Sequence, residues 1–303
     1  MHSGAMTMQS VDVTRVVDAD NHLGETPTWS VGNQSLWWVN CDAPPELHRW
    51  SPATGRRDVW PMPSRIGGVV LRADGTPVVV LADGVYRFTP ETGDLQLLAR
   101  SPLPAQVSLH ECATDRQGRL WVGSFDHRYA TDRSAAGGSF FRLEGETLVP
   151  VITGIAAANG LAISPDGTTL YAADSAQRVV LAYDLDPVTG DLGAGRTFVH
   201  LDPAEGFVDG AAVDAEGGYW LAVVAAAQLR RYLPDGTLHR TVALPCSNPT
   251  KPVFGSTDLG TLYVTSTQLS IRPGTPGAAA NGGVFALRPG WLGLPETPFR
   301  DEL

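Results

Sequence analysis

The chain has little cysteine: three residues in 303, at positions 41, 112 and 246, with no Cys-x-x-Cys pair. Spacing this wide excludes a disulfide framework or a zinc knuckle and fits reduced thiols in the cytoplasm. Long apolar runs are also missing. No window approaches eighteen consecutive apolar residues, so no transmembrane helix is expected. Basic residues are outnumbered, 22 Lys and Arg against 32 Asp and Glu, for a net charge of −10. That balance argues against binding nucleic acid or an anionic membrane through a basic patch. It leaves room for an acidic pocket that holds a cation. No convincing 3.6-residue apolar period runs through the chain, which removes the helical repeat arrays. Residues 1–10 lack the charged and apolar regions of a signal peptide and read as a disordered or tag-derived start. The closing Arg300-Asp301-Glu302-Leu303 resembles an ER-retrieval signal, and without a leader it reads as coincidence.

What the chain has instead is glycine and proline, 33 and 23, spread evenly and without low-complexity runs. That distribution suits many short strands joined by turns. The stretch Ala157–Ser175 shows the unit: Asn-Gly, an apolar alternating strand, Pro-Asp-Gly, then a second strand ending in Asp174. The same strand–turn–strand pattern recurs with turns at Gly32-Asn33, Asp74-Gly75, Gln117-Gly118, Asp166-Gly167, Glu216-Gly217 and near Asp258. Third strands follow in an aromatic-x-Pro-x-x-Gly pattern, as in Val85–Asp94 (V-Y-R-F-T-P-E-T-G-D). The period is roughly 40 to 50 residues, the range of four-stranded propeller blades. Six such units fill the chain, predicting an all-β fold: a single-domain, six-bladed β-propeller over residues 11–290. Val11–Val17 is expected to supply the outer strand of the last blade, Asp126–Gly138 to loop over one face, and 291–303 to be a C-terminal coil.

In such a fold the residues just before each first strand converge on the axis. Those residues include Glu25, His110-Glu111, Asn159 and Asp209. Asn-Gly and Asp-Gly are common turn pairs, and a histidine can be a satisfied core residue. The shared position in the repeat favours the functional reading, because clustered carboxylates repel unless a cation neutralises them. Carboxylate and amide oxygens without thiols form the ligand set of a hard divalent cation: Ca²⁺ first, with Mn²⁺ and Mg²⁺ close, and Zn²⁺ or Fe²⁺ open because of His110. Cys112 lies in this segment but alternates away from the rim and reads as a small core residue. No G-x-S-x-G elbow is present, so acyl-enzyme chemistry through serine has no support.

The motifs L-G-E-T-P-T-W, N-G-L-A-I-S-P-D-G-T-T-L-Y-A-A-D-S, V-D-G-A-A-V-D-A-E-G-G-Y-W-L-A and F-G-S-T-D-L-G-T-L-Y-V-T-S resemble the bacterial-type members of the SMP-30/gluconolactonase/luciferin-regenerating family. The resemblance spans about Gly24 to Leu287. It implies a six-bladed propeller with one divalent metal in the axial channel and hydrolysis of sugar lactones. It also implies Glu25, Asn159 and Asp209 as metal ligands, with Asp209 the general base. One departure stands out: the family motif R-x-N-D-x-x-x-D reads S-L-H-E-C-A-T-D here. Ser108 stands for the arginine, His110 for the asparagine and Glu111 for the aspartate, so these three are the expected substrate contacts and the place where specificity differs. A short hydroxyl cannot span the contacts of a guanidinium. His110, with an ordinary pKa near neutrality, is the alternative base or an added ligand. The resulting expectation is a metal-dependent lactonase acting on a small molecule as a monomer or weak homodimer. The alternatives are diverged chemistry on the same metal, phosphotriesterase-like or biosynthetic, and a non-catalytic calcium-binding propeller.

Overall fold

The computed structural model describes residues 11–272 and 278–301; the tag-like start and the last two residues of the retrieval-like tetrapeptide lie outside them. The described residues form 24 β-strands and two short 3₁₀ turns. Strand β1 is Val13–Val17. The next four are β2 (Gly24–Ser30), β3 (Ser35–Asn40), β4 (Glu46–Trp50) and β5 (Arg57–Pro61), followed by β6 (Ile66–Leu71), β7 (Pro77–Leu81), β8 (Gly84–Thr89) and β9 (Asp94–Arg100). Then come β10 (Val107–Thr114), β11 (Leu120–Asp126), β12 (Gly138–Glu144) and β13 (Thr147–Ile155), and β14 (Ala158–Ile163), β15 (Thr169–Asp174), β16 (Val179–Leu185) and β17 (Leu192–His200). The last two groups are β18 (Phe207–Val213), β19 (Tyr219–Val224), β20 (Gln228–Tyr232), β21 (Leu238–Ala243) and β22 (Pro249–Gly255), β23 (Thr261–Ser266), β24 (Val284–Leu287).

Within each group the strands pair antiparallel in chain order. Four groups are separate sheets; β6–β9 and β10–β13 join into an eight-stranded sheet through one parallel pair, Thr147 with Arg100. The first-to-second-strand turns fall where the sequence places them. Gly75, Gly118, Gly167 and Gly217 occupy them with φ of 82°, 94°, 74° and 85°, a left-handed backbone that glycine adopts without steric cost.

The first strands β2, β6, β10, β14, β18 and β22 touch one another in series, and β22 returns to β2. The second strands, packed between neighbouring sheets, are buried on both faces and read as nearly continuous apolar runs, as in β3 and β7. Successive residues of β3 show why: Leu36 and Trp38 pack against β22–β24, while Trp37 and Val39 pack against β6–β8. Each core cluster is likewise shared by two consecutive groups, and one joins the last group to the first. Strand β1 adds to β24 at the outer edge of the last sheet, as Val11–Val17 was expected to do.

Two connections are more ordered than the sequence indicates. The stretch after Asp126 opens with a 3₁₀ turn, His127–Ala130, because the Asp126 carboxylate accepts from Arg128 N and Gly137 N and pins both ends of the loop. The C-terminal coil is anchored rather than loose. Phe299 enters the cluster between β6–β9 and β10–β13, Phe299 N donates to Leu71 O at 2.8 Å, and Gly293 N donates to Leu259 O at 2.8 Å.

Candidate metal centre and substrate rim

The six inner hairpins share one irregularity. Register shifts fall between Glu25 and Thr28, Ile66 and Gly68, His110 and Cys112, Asn159 and Ala162, Val208 and Ala211, and Pro249 and Pro252. A bulge adds a residue to one strand and re-aims the side chain beside it. Here it does so at the same level in every group. Thr26 (φ 45°), Glu111 (φ 49°) and Gly160 (φ 64°) sit in left-handed backbone at these bulges. At Gly160 a Cβ would stand 2.6 Å from Tyr219 Oη and 2.7 Å from Ala173 Cβ.

Glu25, His110 and Asn159 are the last residues paired ahead of the extra residue, and Asp209 follows Val208, the corresponding residue of β18, into the bulge. Glu25 is 1% exposed, with Oε2 accepting from Thr26 N at 3.0 Å. Its carboxyl is raised to about 7, chiefly by burial and then by the charge of Glu111. Asp209 is driven well above the usual carboxylate range, first by burial and then by Glu25 and Glu111. Unlike Glu25 and Asn159, Asp209 keeps part of its surface open. Its Oδ1 is nonetheless buried with no hydrogen-bond partner. Asn159 shows the same feature: Nδ2 donates to Ser175 Oγ at 2.8 Å, and Oδ1 is left buried and unpartnered.

The run His110-Glu111 divides between two levels. Glu111 is itself the bulge residue and is fully buried. It accepts from Lys251 Nζ at 2.6 Å and from Leu161 N at 3.2 and 3.3 Å. Lys251 was not anticipated; it lies at the corresponding bulge of β22 and is also buried. His110 stays at the rim, 4% exposed, with Nδ1 unpartnered. The expected near-neutral pKa is corrected here: burial, then Arg65, Lys251 and His127, hold it well below the ordinary value. The ring is neutral at pH 7. Ser108 is 5% exposed and bonded to His127 Nε2 at 2.8 Å. Cys112 is 2% exposed in the core cluster, with its thiol raised to about 12 by burial.

A cavity of about 540 Å³ opens at the other end of the inner strands, lined by Pro27, Leu161, Ala211 and Pro252 and bordered by the tail at Leu294–Pro298. It contains none of Glu25, Asn159 or Asp209, although Lys251 lines it. The large cavity and the acidic cluster therefore lie on opposite sides of the Glu111–Lys251 pair.

The residues at the rim fit a divalent cation. Two buried oxygens lack partners, and two carboxyls resist ionisation in each other's field. A cation would satisfy both conditions with the oxygen ligands it prefers. Among the described residues no three His, Cys, Asp or Glu side chains form such a site by themselves. The third donor here is an amide.

Comparison with known proteins places the chain in a family. The model of the SMP-30/Gluconolactonase/LRE-like region matches residues 23–268. A 6-deoxy-6-sulfogluconolactonase of Pseudomonas putida is 34% identical over 256 residues, covering 84% of this chain and 86% of its own. A pentonolactonase of Haloferax volcanii is 32% identical over 255 residues, with 84% of both chains covered. The crystal structure of a calcium-binding protein, regucalcin, from Agrobacterium tumefaciens superposes with a TM-score of 0.88 at 26% identity, covering 96% of this chain and 98% of its own. The chain belongs to the SMP-30/gluconolactonase/LRE-like family.

Proposed function

We propose that this protein is a divalent-metal-dependent hydrolase that opens a lactone, a sugar lactone or a related cyclic ester. We also propose that its six strand groups are the blades of one six-bladed β-propeller domain over residues 11–290, with 291–303 a C-terminal coil. The closed series of inner strands supports the propeller. The names of the relatives, 6-deoxy-6-sulfogluconolactonase and pentonolactonase, support the reaction. The observation that carries the metal reading is the pair of buried, unpartnered oxygens, Asn159 Oδ1 and Asp209 Oδ1, at the rim level of Glu25.

Glu25, Asn159 and Asp209 would hold the cation: calcium first, with manganese, magnesium, zinc and iron(II) as alternatives. When bound, it supplies polarisation of the lactone carbonyl and offsets charge developing on that oxygen. Asp209 takes the proton of the attacking water, since it alone of the three keeps an open surface. His110, neutral at pH 7, serves as a hydrogen-bond partner of the substrate rather than as the base. Ser108 steadies His127. Glu111, tied to Lys251, balances charge beneath the site rather than reaching the substrate from above. The three buried, unpaired cysteines support a reducing compartment, the cytoplasm. The protein acts on a small molecule as a monomer or weak homodimer.

A lactone panel, assayed before and after chelation and again with each cation restored, tests this function. Opening of at least one lactone, lost on chelation and restored by a cation, is expected. Asp209→Asn is expected to lower kcat by roughly a hundredfold or more. Tight metal binding with no lactone opened would leave the non-catalytic calcium-binding propeller in its place.

A further inference from the structure

A guanidinium is present at this rim, but it comes from a different strand group. Arg65 immediately precedes Ile66, the last residue of β6 paired ahead of its bulge, as Glu25, His110 and Asn159 are in their strands. Its main-chain carbonyl is fixed by Ala82 N at 2.8 Å. Its Nη1 pairs with Asp42, whose other oxygen accepts from His22 Nδ1 at 2.6 Å. The guanidinium carbon lies 5.9 Å from the centroid of the Phe125 ring. That ring stands edge-to-face with both His110, at 6.3 Å, and His127, at 5.1 Å. The Arg65 side chain is 14% exposed, and its Nε has no partner among the described residues. Its charge acts on Glu25, His110 and His127 alike. Arg65 is therefore held in place from two sides, by Asp42 and Phe125, beside the acidic cluster.

Ser108, by contrast, is committed to His127 and too short to reach outward. We infer that Arg65 supplies the guanidinium contact that Ser108 cannot make, and that it reads ring hydroxyls of a neutral, polyhydroxylated lactone. The neutral class follows from charge pairing. The two cations that act on Glu25, Arg65 and Lys251, each already face a carboxylate, Asp42 and Glu111. Neither has charge to spare for a sulfonate or carboxylate substituent, whereas a paired guanidinium still donates to hydroxyls.

This inference rests on the lactone-opening reading, so its test carries two arms. In the first, kcat/KM is measured for glucono-δ-lactone and for unsubstituted δ-valerolactone in wild type, Arg65→Gln and Arg65→Lys. The selectivity ratio is expected to fall roughly ten- to a hundredfold in Arg65→Gln. The loss should lie mainly in KM for the hydroxylated substrate, with metal content and melting temperature preserved. In the second arm, which needs no turnover, binding of the neutral polyol sorbitol and of its anionic counterpart gluconate is measured by calorimetry. Sorbitol binding should weaken roughly tenfold or more in Arg65→Gln, and gluconate, which the cation can hold through its carboxylate, should weaken less. If wild type opens neither lactone but polyol binding depends on Arg65, the hydrolase reading fails and this inference stands. An unchanged selectivity ratio, unchanged polyol binding in Arg65→Gln, or gluconate binding weakened as much as sorbitol binding, overturns it.

Discussion

Lys251 is the only lysine in a chain that uses arginine everywhere else, and its ammonium is buried against Glu111. Two opposite charges so placed tolerate removal of neither one alone, because the survivor is left buried and unpaired. Lys251→Met should cost about 3–5 kcal/mol in a denaturant titration, and adding Glu111→Leu should recover much of that. A single variant as stable as wild type would show that the pair contributes nothing. Rim residues were legible in the sequence wherever the side chain itself carried ligand chemistry, as with Glu25, Asn159 and Asp209. Arg65 and Lys251 were not, because the residues beside them, Ile66 and Thr250, carry no charged or imidazole group to mark that level. The solitary lysine in T-K-P-V-F was nevertheless a signal: a strongly hydrated side chain inside an otherwise apolar strand calls for a buried partner.

At the scale of the element, the hairpins were readable because glycine and aspartate mark turns by a physical mechanism. Asp214 shows that mechanism in full. Its carboxylate accepts from Glu216 N, Gly218 N and Trp220 Nε1, closing the turn on the strand that follows; Asp115 repeats this with Gln117 N, Arg119 N and Trp121 Nε1. The bulges were not readable. Thr26 and Glu111 adopt left-handed backbone without any local preference for it, so the separation of His110 from Glu111 depended on packing that the sequence does not spell out. At Gly160 the same bulge does use glycine, and its carbonyl accepts from Tyr219 Oη at 2.7 Å. Gly160→Ala combines a left-handed penalty of about 1–2 kcal/mol with contacts at 2.6 and 2.7 Å. It should lower the melting temperature and, by moving Asn159, weaken metal binding. A variant that loses stability yet keeps full metal affinity would show that Asn159 is set independently of the bulge.

At the scale of the molecule, the sheets pack against one another through shared core clusters, and some polar groups pass into the interior with them. His48 is fully buried, stacked 4.8 Å from Trp38, and burial followed by the Arg57 charge lowers its pKa to about 3. The sign follows from proton uptake. Between pH 6.5 and about 3 the unfolded chain protonates this imidazole while the folded chain does not, so stability falls as pH drops through that window. The slope is at most about 1.4 kcal/mol per pH unit, with no contribution near pH 8. His48→Gln should flatten the acid side of the stability profile; an unchanged slope would assign it to other groups. The overall architecture was legible because a period near that of a blade repeats along the chain, and because β1 carries β-branched residues ahead of the first full group. On the proposed function, Glu25, Asn159 and Asp209 together hold one divalent cation that lactone opening requires. The most direct test titrates chelator-stripped protein with calcium, and with manganese in parallel, while following the rate of lactone opening. Restoration that saturates at one equivalent in wild type and fails in Glu25→Gln is the predicted result. Full activity in the stripped protein, or saturation unaffected by Glu25→Gln, would show that lactone opening does not depend on a cation held there.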